Sequence, residues 1–253
     1  MHRFFIDSSL KHEKGHRIDI TDKDDIKHLM KVLRMRLEEH IEICDCADQE
    51  YVCEIIEIKQ SKVKTIVVEV KDIKREANIE ITLFQSLPKG QKMELILQKS
   101  VEIGLKSVVP MLTERCVTKI KDKKTEKNKL ERWQKIMDEA AKQSKRGILP
   151  HIEHVVPFNE IESSLSEFDL VLIPHVLGEQ KTLKQVLKSA NKPSKIAILI
   201  GPEGGFTDKE VEKALSMNAQ PITLGPRILR TETAGFVTSS IVMYELGDIG
   251  GTF

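Results

Sequence analysis

"ILIGPEGGFTDKEVEKA", residues 198–214, carries the reading of the fold. An apolar run ending at Ile200 meets a turn of Gly201, Pro202, Glu203, Gly204 and Gly205. An acid-rich helix follows, opened by a capping box of Thr207 and Glu210. A continuously apolar strand, a glycine turn and a helix make half of a βαβ unit, whose parallel strand is covered on both faces.

The same rhythm extends outward in both directions. Upstream, "IEITLFQSL" (79–87), "SVVPML" (107–112) and "FDLVLIPH" (168–175) are of strand type. Between them lie helical patterns. "KMELILQKSVEIG" (92–104) is closed by Gly104, and "EKNKLERWQKIMDEAAKQSKR" (126–146) has Trp133, Ile136, Met137 and Ala140 on its apolar side. "KTLKQVLKSA" (181–190) is another helix. Downstream come "QPITLG" (220–225) and a final helix from about Glu232 to Glu245. Strands alternating with helices predict an α/β domain with a parallel sheet.

The first third of the chain reads differently. "DKDDIKHLMKVLRM" (22–35) places Ile26, Leu29, Met30 and Leu33 on one helical face, with Asp22 or Asp24 as cap. "HIEICDC", "YVCEIIEI" and "KVKTIVVEV" alternate as strands do, and "ADQE" (47–50) is a hairpin turn between the first two. The polar "KDIKREAN" (71–78) separates this β-rich part from the α/β part. The expected division is residues 1–72, a linker 73–78, and 79–253.

Composition excludes little: 253 residues, 40% hydrophobic, 31% charged, net charge +1. From Lys119 to Arg146, eleven Lys/Arg stand against five Asp/Glu, either a solvated helix face or a footprint for a polyanion. Residues 1–75 are balanced, fifteen against sixteen. Cys44, Cys46, Cys53 and Cys116 have no C-x-x-C spacing and no histidine cluster, so no metal is expected. The polar N-terminus, the thiols and the lack of a long apolar run fit a cytoplasmic protein.

In open α/β sheets, ligands bind beyond the carboxyl ends of the strands. Three such ends here are Pro174-His175, the 201–205 turn, and "LGPRILRTETAG" (224–235). Neither G-x-G-x-x-G nor a P-loop is present. Glu203 would repel a phosphate, and Pro202 removes a donor. An apolar loop with a carboxylate suits a flat ligand that carries positive charge, or a partner arginine. S-adenosylmethionine has the first set of properties, although composition alone does not select it. Ile228 and Leu229, in the middle of a polar turn, are placed to sandwich something apolar. The plainer alternative is a surface loop leading to a helix capped by Thr231 or Thr233.

"LIGPEGGFTDKEVE" followed by "LGPRILRTETA" resembles the paired signature of the RsmE family, the 16S ribosomal RNA uridine-N3 methyltransferases of the SPOUT class. "MHRFF", "HLMKVLRM", "LPKGQKMELILQKSVEIGLKSVVPMLTERCV" and "RWQKIMDEAAKQSKR" fall in the family's order, so the resemblance spans nearly the whole chain. It implies an N-terminal PUA-like RNA-binding domain and a SPOUT methyltransferase domain with a C-terminal trefoil knot. It also implies a homodimer, a substrate in the assembled small ribosomal subunit, and S-adenosylmethionine in the knot. The knot rests on the resemblance alone, since threaded chains are rare.

Carried onto this chain, the resemblance implies a cofactor pocket of Pro174, Ile200, Gly201, Pro202, Glu203, Gly204, Leu224, Gly225, Ile228, Leu229, Thr231, Thr233 and Ala234. Many relatives carry an aromatic-acidic pair where this chain has Pro174-His175. For catalysis, Arg227 and Arg230 would stabilise the uridine anion, with Glu232 orienting an arginine or accepting the proton. RNA contacts are expected from His2, Arg3, Arg34, Lys89, Lys92, Lys99, Arg115, Gln143 and Arg146. The helix after Ala234, with Phe236, Val237, Ile241, Val242 and Leu246, is the expected dimer face. Two other readings remain: a ribosome-assembly binding module with a relic pocket, and a knotted enzyme acting on transfer RNA.

Overall fold

The computed structural model describes residues 1–6, 11–47, 49–73, 75–175 and 181–251. Asp48 of the expected hairpin turn and Lys74 of the expected linker lie outside them. The chain forms two compact units: Met1–Glu76 with Ala141–Leu149, and Ala77–Ala140 with Pro150–Phe253.

The first unit is a five-stranded sheet. Its strands are β1 (Arg3–Phe5), β2 (Arg17–Ile20), β3 (His40–Cys44), β4 (Gln49–Lys59) and β5 (Lys62–Asp72), in the order β1-β3-β4-β5-β2. β3 and β4 pair antiparallel from His40–Glu54 to Cys44–Glu50, as the hairpin reading expects. β1 pairs parallel to β3. β1 and β2, of three and four residues, are too short to show a period. The alternating apolar residues Ile41, Ile43, Tyr51, Cys53, Ile55, Val63 and Val67 fill one core with Ile26 and Leu29.

The expected helix over 22–35 is split. Asp22 accepts a hydrogen bond from the Asp25 amide (2.9 Å) and starts α1 (Lys23–Lys27). His28–Leu33 then widen into a π-helical turn, which ends at Arg34 in the left-handed region (φ 53°). The wider turn breaks the 3.6-residue period, so Leu29 is buried while Met30 faces solvent.

Two residues expected to touch RNA are instead buried here. Arg3 pairs with Glu42 (3.1 Å) and Glu50, and its Nη1 donates to the carbonyls of Lys145 (3.0 Å) and Arg146 (2.7 Å). Lys145 and Arg75 complete the charge balance on Glu42 and Glu50. Arg146 grips Glu76 through Nε (3.0 Å) and Nη2 (2.7 Å). Paired and withdrawn from solvent, neither guanidinium is available to a phosphate. Their acidic partners lie 39 to 70 residues away, beyond the reach of a local pattern.

The second unit is a parallel sheet wrapped by helices. Its elements are β6 (Glu80–Ser86), α2 (Lys92–Ile103), β7 (Ser107–Leu112), α3 (Lys123–Gln143), β8 (His151–Ile152), β9 (Val156–Pro157) and α4 (Glu162–Leu165). There follow β10 (Leu170–Pro174), β11 (Lys181–Thr182), α5 (Leu183–Ser189), β12 (Lys195–Ile200), α6 (Asp208–Ser216), β13 (Gln220–Thr223) and α7 (Thr231–Leu246). The strand order is β11-β13-β10-β12-β6-β7-β8, with β9 also on β7, and the pairings within it are parallel. β6 and β12 are buried almost end to end; β12 is continuously apolar from Ile196 to Ile200, whereas β6 also buries Thr82, Gln85 and Ser86. This architecture brings the ends of β6, β10 and β12 side by side.

Candidate functional site

The glycine turn after β12 is tightly built. The Gly205 amide donates to the Pro202 carbonyl (2.9 Å), with Gly205 in the left-handed region (φ 67°). A Cβ on Gly201 would stand 3.1 Å from the Phe206 amide nitrogen. Behind the turn, Thr207 and Glu210 form the expected capping box of α6. Arg115 reaches over to donate to the carbonyls of Gly204 (2.8 Å) and Phe206 (3.2 Å).

Two consecutive residues at the start of α7 are tied to this turn. Thr231 Oγ1 donates to the Gly201 carbonyl (2.6 Å) and accepts from Gln85 Nε2 (2.9 Å). Glu232 Oε2 lies 3.3 Å from Lys92 Nζ, which also holds Glu203 Oε1 at 3.0 Å. The Lys89 amide adds a third contact to Glu203 (3.1 Å). Burial pushes the Glu203 carboxyl up, but the bonds from Lys92 and Lys89 outweigh it and hold it below the usual 4.5. Glu203, and after desolvation Glu232, hold the Lys92 ammonium above its ordinary 10.5. The helix cap itself is Arg230, without a side-chain bond. Thr231 therefore serves as a cross-link, contrary to the capping alternative.

A cavity of about 490 Å³ opens between these loops. Its walls include Pro174, His175, Ile200 to Phe206, Ile228 to Thr231, Ala234, Lys92 and Arg115. Ten of the thirteen expected cofactor residues thus converge, while Leu224, Gly225 and Thr233 lie outside its lining. Of the expected catalytic residues, Arg230 lines the cavity. Glu232 stands behind it on Lys92, and Arg227 is exposed in the adjoining loop. Ile228 is 87% exposed, an apolar side chain at the cavity rim. Burial, reinforced by the charge of Arg115 and opposed by Asp208, pushes His175 below the usual 6.5, so its ring is neutral at pH 7.

The expected RNA contacts scatter. His2, Arg34, Lys89 and Gln143 are exposed, and Lys99 is paired with Glu102 at 2.7 Å. Lys92 and Arg115 belong to the cavity. In α7, Val242 is buried within the protein itself, whereas Phe236, Val237, Ile241 and Leu246 are half-buried. Sequence reasoning missed Gln85 and Phe206, and named Gly205 in the turn without including it in the cofactor set. Gln85 shares its strand with Thr82 and Ser86, which are buried as well, so the local sequence did not single it out.

Comparison with known proteins bears on the whole chain. A family profile described as an RNA methyltransferase domain matches residues 75–243, and one described as an RNA methyltransferase PUA domain matches residues 20–68. Ribosomal RNA small subunit methyltransferase E of Bacillus subtilis is 35% identical over 250 residues, covering 97% of each chain. Its Buchnera aphidicola counterpart is 33% identical over 260 residues, covering 96% of this chain and 99% of its own. A Legionella pneumophila methyltransferase solved with S-adenosylmethionine superposes with a TM-score of 0.86 at 30% identity, covering 98% of both chains. The Neisseria gonorrhoeae ribosomal RNA small subunit methyltransferase E, also bound to S-adenosylmethionine, gives 0.84 at 29% identity, with 98% and 99% covered.

Proposed function

Because this chain belongs to the ribosomal RNA small subunit methyltransferase E family, we propose that it methylates N3 of a uridine in 16S ribosomal RNA, with S-adenosylmethionine as donor. The observation that carries this reading is the cavity framed by the 201–205 turn and the 228–234 segment, with a carboxylate on its wall and an apolar flap at its rim.

The residues present fit that donor. The cavity lies within the size range of small-molecule sites. Ile200, Ile228 and Leu229 offer apolar faces to a purine, and Glu203 lines the cavity with Oε1 held by Lys92 and the Lys89 amide, leaving Oε2 for a positively charged ligand. When bound, S-adenosylmethionine supplies a methyl carbon made electrophilic by its sulfonium. The chain's own residues do the rest. N3 of uridine sits on the Watson–Crick edge, so the target base is unpaired or flipped out. Loss of its proton leaves negative charge on O2 and O4. Arg230 on the cavity wall and Arg227 beside it stabilise that charge. Glu232 already shares Lys92 with Glu203, so its role is to hold cations in place rather than to take the proton.

This reading has a domain form as well. Residues 1–72 form a PUA-like RNA-binding domain, 73–78 a linker, and 79–253 a SPOUT methyltransferase domain. The loops around the cavity form a trefoil knot, α7 contributes to a homodimer, and the enzyme works in the cytoplasm on assembled small subunits. Exposed His2, Arg34, Lys89 and Gln143 are the remaining RNA contacts of the set.

The test is direct. Purified protein is incubated with radiolabelled S-adenosylmethionine and small ribosomal subunits that lack the modification. Label recovered as N3-methyluridine supports donor, substrate and position together. Label on another nucleoside moves the substrate, and absence of label alongside normal donor binding favours a binding module.

A further inference from the structure

Gln85 is the last residue but one of β6, completely buried at the strand's carboxyl end. Its Nε2 makes two hydrogen bonds of 2.9 Å, to the Ser86 carbonyl and to Thr231 Oγ1. Thr231 in turn donates its one hydroxyl proton to the Gly201 carbonyl at 2.6 Å. The two ends of this chain are carbonyl oxygens, which can only accept. Its direction is therefore determined: hydrogens run outward from the Gln85 amide in both senses. With the amide turned over, its oxygen would face the Ser86 carbonyl, and Thr231 would lose its donor. The remaining Gln85 oxygen, Oε1, is buried with no hydrogen-bond partner. The amide is kept for its two donors even though its acceptor goes unsatisfied.

What the chain joins matters more than that it is satisfied. Gly201 begins the turn after β12, and Thr231 follows the Ile228–Arg230 segment. Both segments line the cavity, and the bond between Thr231 and Gly201 joins them across 30 residues of sequence. Gln85 itself does not line the cavity. From this geometry we infer that Gln85 is a positioning residue for donor binding: it sets the hydroxyl of Thr231, which locks the spacing between the two segments. The inference rests on the proposed donor site. Its content is that no other side chain of similar size can replace the amide. Methionine matches the volume with no donor. Glutamate matches the shape, but has no donor when ionised and one when protonated.

The experiment measures affinity for S-adenosylhomocysteine, the demethylated form of the donor, by calorimetry from pH 5 to 8. Wild-type protein binds across this range. Gln85→Met weakens binding by about 10- to 100-fold at every pH, as expected when a buried polar partner is removed. Gln85→Glu binds weakly at pH 8 and, measured relative to wild type at each pH so that His175 and Glu203 on the cavity wall cancel, recovers part of the loss toward pH 5. Should either variant fail to fold, Thr231→Val carries the test, with Thr231→Ser restoring the hydroxyl and the affinity. Folded Gln85→Met and Thr231→Val proteins that bind with wild-type affinity would overturn the inference. Wild-type protein that does not bind the probe at all would instead overturn the donor site, and the inference with it.

Discussion

Lys92 Nζ stands 3.0 Å from Glu203 Oε1, and this one ion pair joins the first turn of α2 to the glycine turn after β12. The same ammonium reaches Glu232, so a single cation keeps two carboxylates together beside the cavity.

Removing that cation in Lys92→Met leaves the carboxylates to repel each other. The Glu203 carboxyl, held below 4.5 mainly against burial by Lys92, should titrate higher than in the wild type. In the wild type the pair is complete between the ordinary carboxylate value of 4.5 and the ordinary lysine value of 10.5. It is lost as pH falls below the first or rises above the second. Carboxyl NMR titration reads the shift. Activity should fall by about 100-fold, in line with a misplaced loop, and an unchanged Glu203 titration would contradict the pairing.

Arg230→Ala and Arg227→Ala separate the two cations. If Arg230 stabilises the uridine anion, its removal lowers the single-turnover rate by roughly 100- to 1,000-fold at saturating donor. Arg227, exposed and outside the cavity lining, should give a smaller loss. Equal binding of donor by both variants is expected. A loss confined to donor affinity would assign Arg230 to binding instead.

Ile228→Ser tests the apolar flap. Because Ile228 is already in water, the melting temperature should not move. Donor affinity should weaken by about tenfold or more, from the apolar area that Ile228 would otherwise bury on a purine. A variant that loses stability while keeping affinity would place the flap elsewhere.

Arg3→Met probes the first unit. Glu42 and Glu50 would be left buried with less compensation, which costs about 3–5 kcal/mol. In the wild type, burial raises both carboxyls, but their cationic partners outweigh it and hold them below 4.5: Lys145 and Arg3 for Glu42, Arg75 and Arg3 for Glu50. Their contribution is thus present above pH 4.5 and is lost as pH falls through the lowered values. Acid unfolding monitored by circular dichroism should begin at higher pH in the variant.

The parallel sheet was legible because its strands are buried on both faces and its helices carry clear start signals, as at Thr207 and Glu210. The cavity was legible from two glycine-rich loops with apolar residues in unlikely places, Ile228 and Leu229. What escaped was non-local. Arg3 and Arg146 look like free cations in sequence, and only the fold supplies Glu42, Glu50 and Glu76. Thr231 looks like a helix cap until Gly201 arrives from another strand. Lys92 looks like a phosphate contact, yet its partners lie 111 and, by numbering, 140 residues downstream. The π turn over His28–Leu33, which shifts the buried face, is announced by no local propensity.

The bonds from Arg3 to the carbonyls of Lys145 and Arg146 impose an order on synthesis. The strands of the first unit are all translated by Asp72, yet the unit also includes Ala141–Leu149. A nascent chain must therefore hold those strands without their closing segment while about 70 further residues emerge, a loop whose closure costs entropy that only the last contacts repay. The strands translated before Asp72 are thus completed only after the segment that follows α3 has been made.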